Sequence, residues 1–139
     1  GWLHASKIID KRLNFKNIVV LQATSPYRKP KDLDLAIKKF EMTKADSLFS
    51  AYETFDTNLW EKKGSKFLAN YDYLNRKPRQ KNNPKYLENG SFYIFKKNLF
   101  YKHKNRLFGK IEYYKQDKKS SMQIDDKEDF EIISKFFKN

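Results

Sequence analysis

The run Ile18-Val19-Val20-Leu21-Gln22 restricts the fold more than any other segment. Five residues with no apolar/polar alternation read as a strand buried on both faces, as in a parallel sheet covered by helices. The polar stretch Ala23-Thr24-Ser25-Pro26-Tyr27-Arg28-Lys29-Pro30 follows at once. In open α/β sheets the loop leaving a strand's C-terminal end is where ligands bind. A helix is expected from about Pro30-Lys31-Asp32, with Leu33, Leu35/Ala36/Ile37 and Phe40 on one face. Residues 45–52 read as a second strand, so strand, loop, helix and strand form a βαβ unit and argue for a parallel core.

The other segments fit around that unit. Residues 2–13 have mixed helical spacing, and Gly90–Phe95 and Ile111–Lys115 have strand character. Residues 97–104 read as a short helix or turn. Asp125/Asp126 precede a helix whose expected apolar face is Phe130, Ile132/Ile133 and Phe136/Phe137. Residues 54–88 are irregular, basic and Asn-rich, which suggests an excursion from the core sheet. The expected fold class is α/β.

Charge narrows the choice of partner. The chain has 139 residues and a formal net charge of +13. Residues 61–119 alone hold 17 Lys/Arg against five Asp/Glu, nearly the whole excess. A basic surface attracts any anion: nucleic acid, nucleotide or sugar acid. Only five of the 30 cations are Arg, the residue suited to bidentate phosphate and base contacts. A nucleic-acid-binding α/β module without catalysis is therefore the alternative reading, and nucleic acid is not the expected partner.

The absence of cysteine excludes disulfides, thiolate metal sites and cysteine nucleophiles. No apolar run is long enough to span a membrane, and the expectation is a cytoplasmic domain. His4 and His103 have no ligand-spaced neighbours. With four glycines and no GxGxxG or GxxxxGK[ST] pattern, no phosphate cradle is evident. Asp125, Asp126, Glu128 and Asp129 gather at a helix start. They serve either as caps for the helix dipole or as oxygen ligands for a divalent ion.

Four stretches, in order, resemble one family. Leu21-Gln22-Ala23-Thr24-Ser25-Pro26-Tyr27-Arg28 is similar to the LQPTSPLR segment of the acylneuraminate cytidylyltransferases, the CMP-sialic acid synthetases. Asp46–Ser50 resembles their DSVFS. Arg79-Gln80 through Tyr86-Leu87-Glu88-Asn89-Gly90-Ser91-Phe92-Tyr93 resembles RQ…YxENGSFYI. Gly109-Lys110 followed by Gln123-Ile124-Asp125 and Asp129 resembles GGK and IDIDxxxD.

The resemblance implies a nucleotidyltransferase-type, Rossmann-like open mixed sheet with a dimerisation arm overlapping residues 54–88. It implies a homodimer that transfers CMP from CTP to a nine-carbon 2-keto sugar acid, with Mg²⁺ and release of pyrophosphate. By the resemblance, Gln22 and Ser25 face the sugar and Arg79, Gln80 and Asn89 contact its polar groups. Tyr93 lines the acyl-amino pocket, and Asp125 binds the metal. Arg79 and Asp125 are the expected catalytic residues. Two departures are Ala23 in place of the family's proline and Gln123 in place of an aspartate. The family's opening ARxGSKGxxxKN phosphate loop has no counterpart. The expectation is thus a partial domain over residues 1–139, truncated at its N-terminus and inactive alone.

Overall fold

The computed structural model describes residues 1–55 and 58–137, with the side chain of Arg79 also outside the described set. The chain divides into two compact units, residues 1–52 with 88–139, and residues 53–87.

In the first unit, α1 (Trp2–Asp10), β1 (Asn17–Leu21), α2 (Pro30–Met42) and β2 (Ser47–Thr54) follow in order. β5 (Lys85–Lys96), α3 (Lys97–His103), β6 (Ile111–Gln116) and α4 (Lys127–Phe137) complete it. Pro30 opens α2 at a position where a missing N–H costs nothing, and Asp32 lies in its first turn. At the other end Lys44 turns left-handed, φ 53°. Ala45 N donates to Phe40 O at 3.2 Å and Lys44 N to Glu41 O at 3.1 Å. This Schellman closure folds Ala45 back onto Phe40 and delivers the chain into β2.

The sheet order is β1-β5-β2-β6. β2 and β6 are parallel, whereas β1 and β5 are antiparallel, with Leu21 opposite Phe92 and Asn17 opposite Lys96. The expected βαβ connection is present, but β5 lies between its two strands, so the sheet is mixed. β5 carries the core. Phe92 and Ile94 pack with Ala36, Phe40, Ala45 and Leu48. Tyr93 and Phe95 face the opposite way, onto Val20, Phe100 and Phe108, with Trp2 and Leu3 against them. Each fully buried Phe contributes about 2–3 kcal/mol of transfer free energy.

Two expectations need correction. β1 is not buried on both faces: only Val20 is buried, while Val19 and Leu21 are 38% and 47% exposed. The reason is its edge position. Its outer side forms an apolar cleft of about 400 Å³ with Trp2, Ile9 and Phe15. On α4 only Ile133 is buried, and Phe130, Ile132, Phe136 and Phe137 are exposed.

The second unit is more regular than its composition suggested. β3 (Trp60–Lys63) and β4 (Lys66–Ala69) form an antiparallel hairpin. Its two-residue loop begins with Gly64 at φ 64°, the left-handed conformation that short hairpin turns favour. Trp60 packs against Tyr71 and Tyr73, at ring centroid distances of 6.0 and 5.3 Å. Asp72 accepts from Leu74 N and Asn75 N, both at 3.1 Å. No helix among the described residues is long and apolar enough to cross a membrane.

Candidate active site

Three segments converge at the C-terminal end of β1. The first is the loop after Leu21, the second is Asn89-Gly90-Ser91 in β5, and the third is the stretch before α4. Gln22 N continues the β1–β5 ladder by donating to Ser91 O at 3.3 Å. Ser25 N folds back onto Gln22 O at 3.2 Å, and Ile124 N donates to Thr24 O at 2.8 Å.

Gly90 lies inside the strand with φ 66°, a region open to glycine at little cost. A Cβ there would stand 2.3 Å from Gln22 Oε1 and 2.8 Å from Gln123 Nε2. Two carboxamides therefore press onto one bare Cα. Gln123 Nε2 also donates to Asn89 O.

Asn89 is 3% exposed and its amide is fully used. Its Oδ1 accepts from Ser50 Oγ at 2.6 Å and Ser91 N at 3.2 Å. Its Nδ2 donates to Gln116 Oε1 at 3.0 Å and Ser121 Oγ at 2.8 Å. The network extends through Gln116 Nε2 to Asp32 Oδ2 at 3.3 Å. All four hydrogen-bonding positions of the Asn89 amide are thus engaged within the protein, and the residue locks β5 to β2, β6 and the loop at Ser121.

The other expected residues fall in varied surroundings. The Gln22 amide is half-buried, and no hydrogen bond to it is recorded among the described residues. Ser25 is 1% exposed and its hydroxyl has no partner among the described residues. Tyr93 is a core residue, 2% exposed. Its hydroxyl donates to Glu88, and the Arg106 guanidinium lies 4.7 Å above its ring. Burial first, and then the Glu88 carboxylate, push the Tyr93 phenol up to about 12. Arg79 and Gln80 begin a 3-10 turn, Arg79–Lys81, in the second unit. Gln80 is exposed there, and the Arg79 side chain lies outside the described residues.

Asp125 is exposed, and its backbone N–H donates to Asp129 Oδ2 at 3.0 Å. Asp126 Oδ1 accepts from Asp129 N at 2.9 Å, so Asp126 is the N-cap of α4. Capping thus occupies Asp126 and Asp129, while the Asp125 carboxylate carries no recorded bond. No group of three or more His, Asp or Glu among the described residues could hold a metal by itself. Magnesium is often held by one or two carboxylates plus phosphate oxygens and waters. Asp125 fits that lesser role; Gln123, turned onto Asn89 O, does not.

Arg28, to which sequence spacing gives no role, joins the loop after β1 to β5. Its Nη2 donates to Gln22 O and Ser91 O, both at 3.0 Å, and its Nε to Ser91 Oγ at 3.4 Å. All three acceptors are neutral, and desolvation lowers the guanidinium pKa. An arginine that meets backbone carbonyls rather than a carboxylate has no signature in sequence spacing.

The arrangement is that of the nucleotidyltransferase-type α/β fold, an open mixed sheet with the polar cluster at the strand ends. The chain superposes along its whole length on a crystal structure of 4-diphosphocytidyl-2C-methyl-D-erythritol synthase from Anaerococcus prevotii. The TM-score is 0.63 and the identity 10%, and the match covers 100% of this chain and 67% of the other. No family model matches the sequence, and no curated protein matches it.

Proposed function

We propose that the first unit carries the acceptor side of a cytidylyltransferase site. The reaction moves CMP from CTP onto a nine-carbon 2-keto sugar acid of the sialic acid type. The anomeric hydroxyl oxygen bonds to the α-phosphorus, the bond to the bridging oxygen breaks, pyrophosphate leaves, and the hydroxyl proton passes to solvent. Such a transfer needs positioning and charge neutralisation more than covalent help.

The observation that carries this reading is the meeting of Gln22, Gly90 and Gln123 at the strand ends. These residues come from three of the four stretches that resemble the acylneuraminate enzymes. The structural neighbour, whose name describes a cytidine diphosphate joined to a methylerythritol, fits the same class of chemistry.

In this reading Gln22 faces the acceptor, while Ser25 and Asn89 shape the wall behind it. Tyr93 acts through Glu88 and Arg106. Asp125 would hold Mg²⁺ with phosphate oxygens, and a bound cation supplies charge neutralisation at the phosphates. A second copy is placed against the second unit, where Leu59, Phe67 and Leu74 are 66%, 62% and 79% exposed. The site of action is the cytoplasm.

Calorimetric titration of the 139-residue chain with N-acetylneuraminic acid, Kdo and CMP tests the reading. Binding of a sugar acid that survives physiological salt supports it. No sugar-acid binding, with RNA binding that collapses steeply as salt rises, would replace it with the nucleic-acid module.

A further inference from the structure

Two carboxamides on a bare glycine Cα need an explanation beyond packing. Gln123 uses one N–H on Asn89 O. Its Oε1 and second N–H, and the whole Gln22 amide, have no partner recorded among the described residues. The polar atoms nearest a Cβ at Gly90 are an amide oxygen and an amide nitrogen, a neutral acceptor beside a neutral donor. Such a pair suits a hydroxyl or an amide, which both donates and accepts.

The segment bearing Gln123 is tied at two adjacent points. Ile124 N holds Thr24 O, two residues after Gln22, and Gln123 holds Asn89 O, one residue before Gly90. The second tie requires a donor. An ionised carboxylate at position 123 would face the Asn89 carbonyl with acceptors only, and would be pushed away. An amide also keeps the Gln22 carboxamide from swinging across Gly90, where no Cβ blocks it.

We infer that Gln123 is a positioning residue: by donating to Asn89 O it fixes the Gln22 carboxamide over Gly90, in the orientation that reads a neutral hydroxyl of the acceptor. The hydroxyl-reading half rests on the proposed function, whereas the positioning half stands on the geometry alone.

Side-chain NH₂ resonances of the ¹⁵N-labelled chain test both halves separately. Gln22→Met and Gln123→Met assign the two pairs of signals. Loss of the Gln123 donor in Gln123→Met, and in Gln123→Glu, is expected to shift or broaden the Gln22 pair, with the melting midpoint held within a few degrees. The reciprocal variant Gln22→Met should move the Gln123 pair, which keeps the test decisive if Gln123→Met folds poorly. Unmoved partner signals in all folded variants would overturn the positioning role, whatever the protein binds.

N-Acetylneuraminic acid is then titrated as the probe. A tenfold or greater loss of affinity in Gln123→Met, with CMP affinity unchanged, supports hydroxyl reading. Equal affinities in wild type and variant would refute it. Absence of sugar-acid binding in the wild type overturns the hydroxyl-reading half together with the proposed function, and leaves the positioning half to the resonance shifts.

Discussion

Replacing Asn89 with alanine tests whether the polar end of the sheet is held by one amide. The substitution deletes four hydrogen bonds, but the groups left behind are not equally harmed. Ser50 Oγ keeps Phe92 O as acceptor at 3.1 Å and Phe92 N as donor at 2.9 Å. Ser121 Oγ keeps Asp117 O at 2.9 Å. Ser91 N and Gln116 Oε1 have no other recorded side-chain partner among the described residues, and both residues are almost fully buried, at 0% and 4% exposure. Two orphaned buried groups at about 1–3 kcal/mol each give a loss of about 2–6 kcal/mol, centred near 4.

For a chain of this length that corresponds to a fall in melting midpoint on the order of 10 °C or more. Urea unfolding followed by circular dichroism measures the loss directly. Asn89→Asp is the sharper companion. It retains acceptors for Ser50 and Ser91, but turns a carboxylate oxygen toward Gln116 Oε1, so at neutral pH its loss should be at least as large. A loss under about 1 kcal/mol in Asn89→Ala would refute the claim that this amide is fully engaged.

Three further measurements follow from the same structure. Gly109→Ala puts a Cβ 2.8 Å from Asp46 Cβ at φ 59°. It should cost about 2–3 kcal/mol of strain and lost Asp46–Lys110 bonding, against only about 1 kcal/mol for Gly64→Ala, which has open space at similar φ; equal losses would contradict the contact. The Tyr93 phenol, raised to about 12, stays neutral past its ordinary value, so its stabilising effect holds below about pH 10 and fades between about 10 and 12. The ultraviolet titration difference between wild type and Tyr93→Phe should have its midpoint near 12; a midpoint near 10 would refute the buried Glu88 partnership. Asp117 is depressed to about 2 by Lys29 and then by Ser120 N, so its contribution is present above about pH 4 and lost as pH falls toward 2. With half-exposed partners the effect is screened to under about 1 kcal/mol. The stability gap between wild type and Asp117→Asn should close over that window, and a gap that persists at pH 2 would refute it.

What was legible in the sequence was what local chemistry decides. Pro30 and Asp32 announced α2, and Asp126 announced the start of α4, because a cap acts within one turn. The β1–α2–β2 order was equally plain. The position of β5 between β1 and β2 was not, since strand neighbours are set by pairing across some seventy residues of chain. That single hidden fact explains why Ile18–Leu21 read as doubly buried while its outer side is open. It also governs the site. Gln22 was assigned to the acceptor by the resemblance of its segment, not by anything in its spacing. Asn89 entered as a sugar contact through the resemblance, and an asparagine before glycine carries no sign in sequence of how many partners it has. Only the meeting of β2, β5 and β6 with the turn at Ser121 reveals that Ser50, Gln116 and Ser121 bond to it.

Gln123 is the instructive case for function. By residue type it was a weakened copy of a metal-binding aspartate, and nothing in spacing suggested otherwise. Its meaning changes once Asn89 O faces it, because a carbonyl asks for a donor and an ionised aspartate has none. An amide at this position is then required by the wall it completes. In the proposed reading, a cation at the strand ends relies on Asp125 and on oxygens brought by the substrate. If so, changing Gln123 to Asp should weaken the fold locally without creating a metal site: added Mg²⁺ should leave the melting midpoint of Gln123→Asp where it was. A Mg²⁺-dependent rise of several degrees in that variant, absent from the wild type, would show that a carboxylate at this position completes a metal site, and would refute the argument.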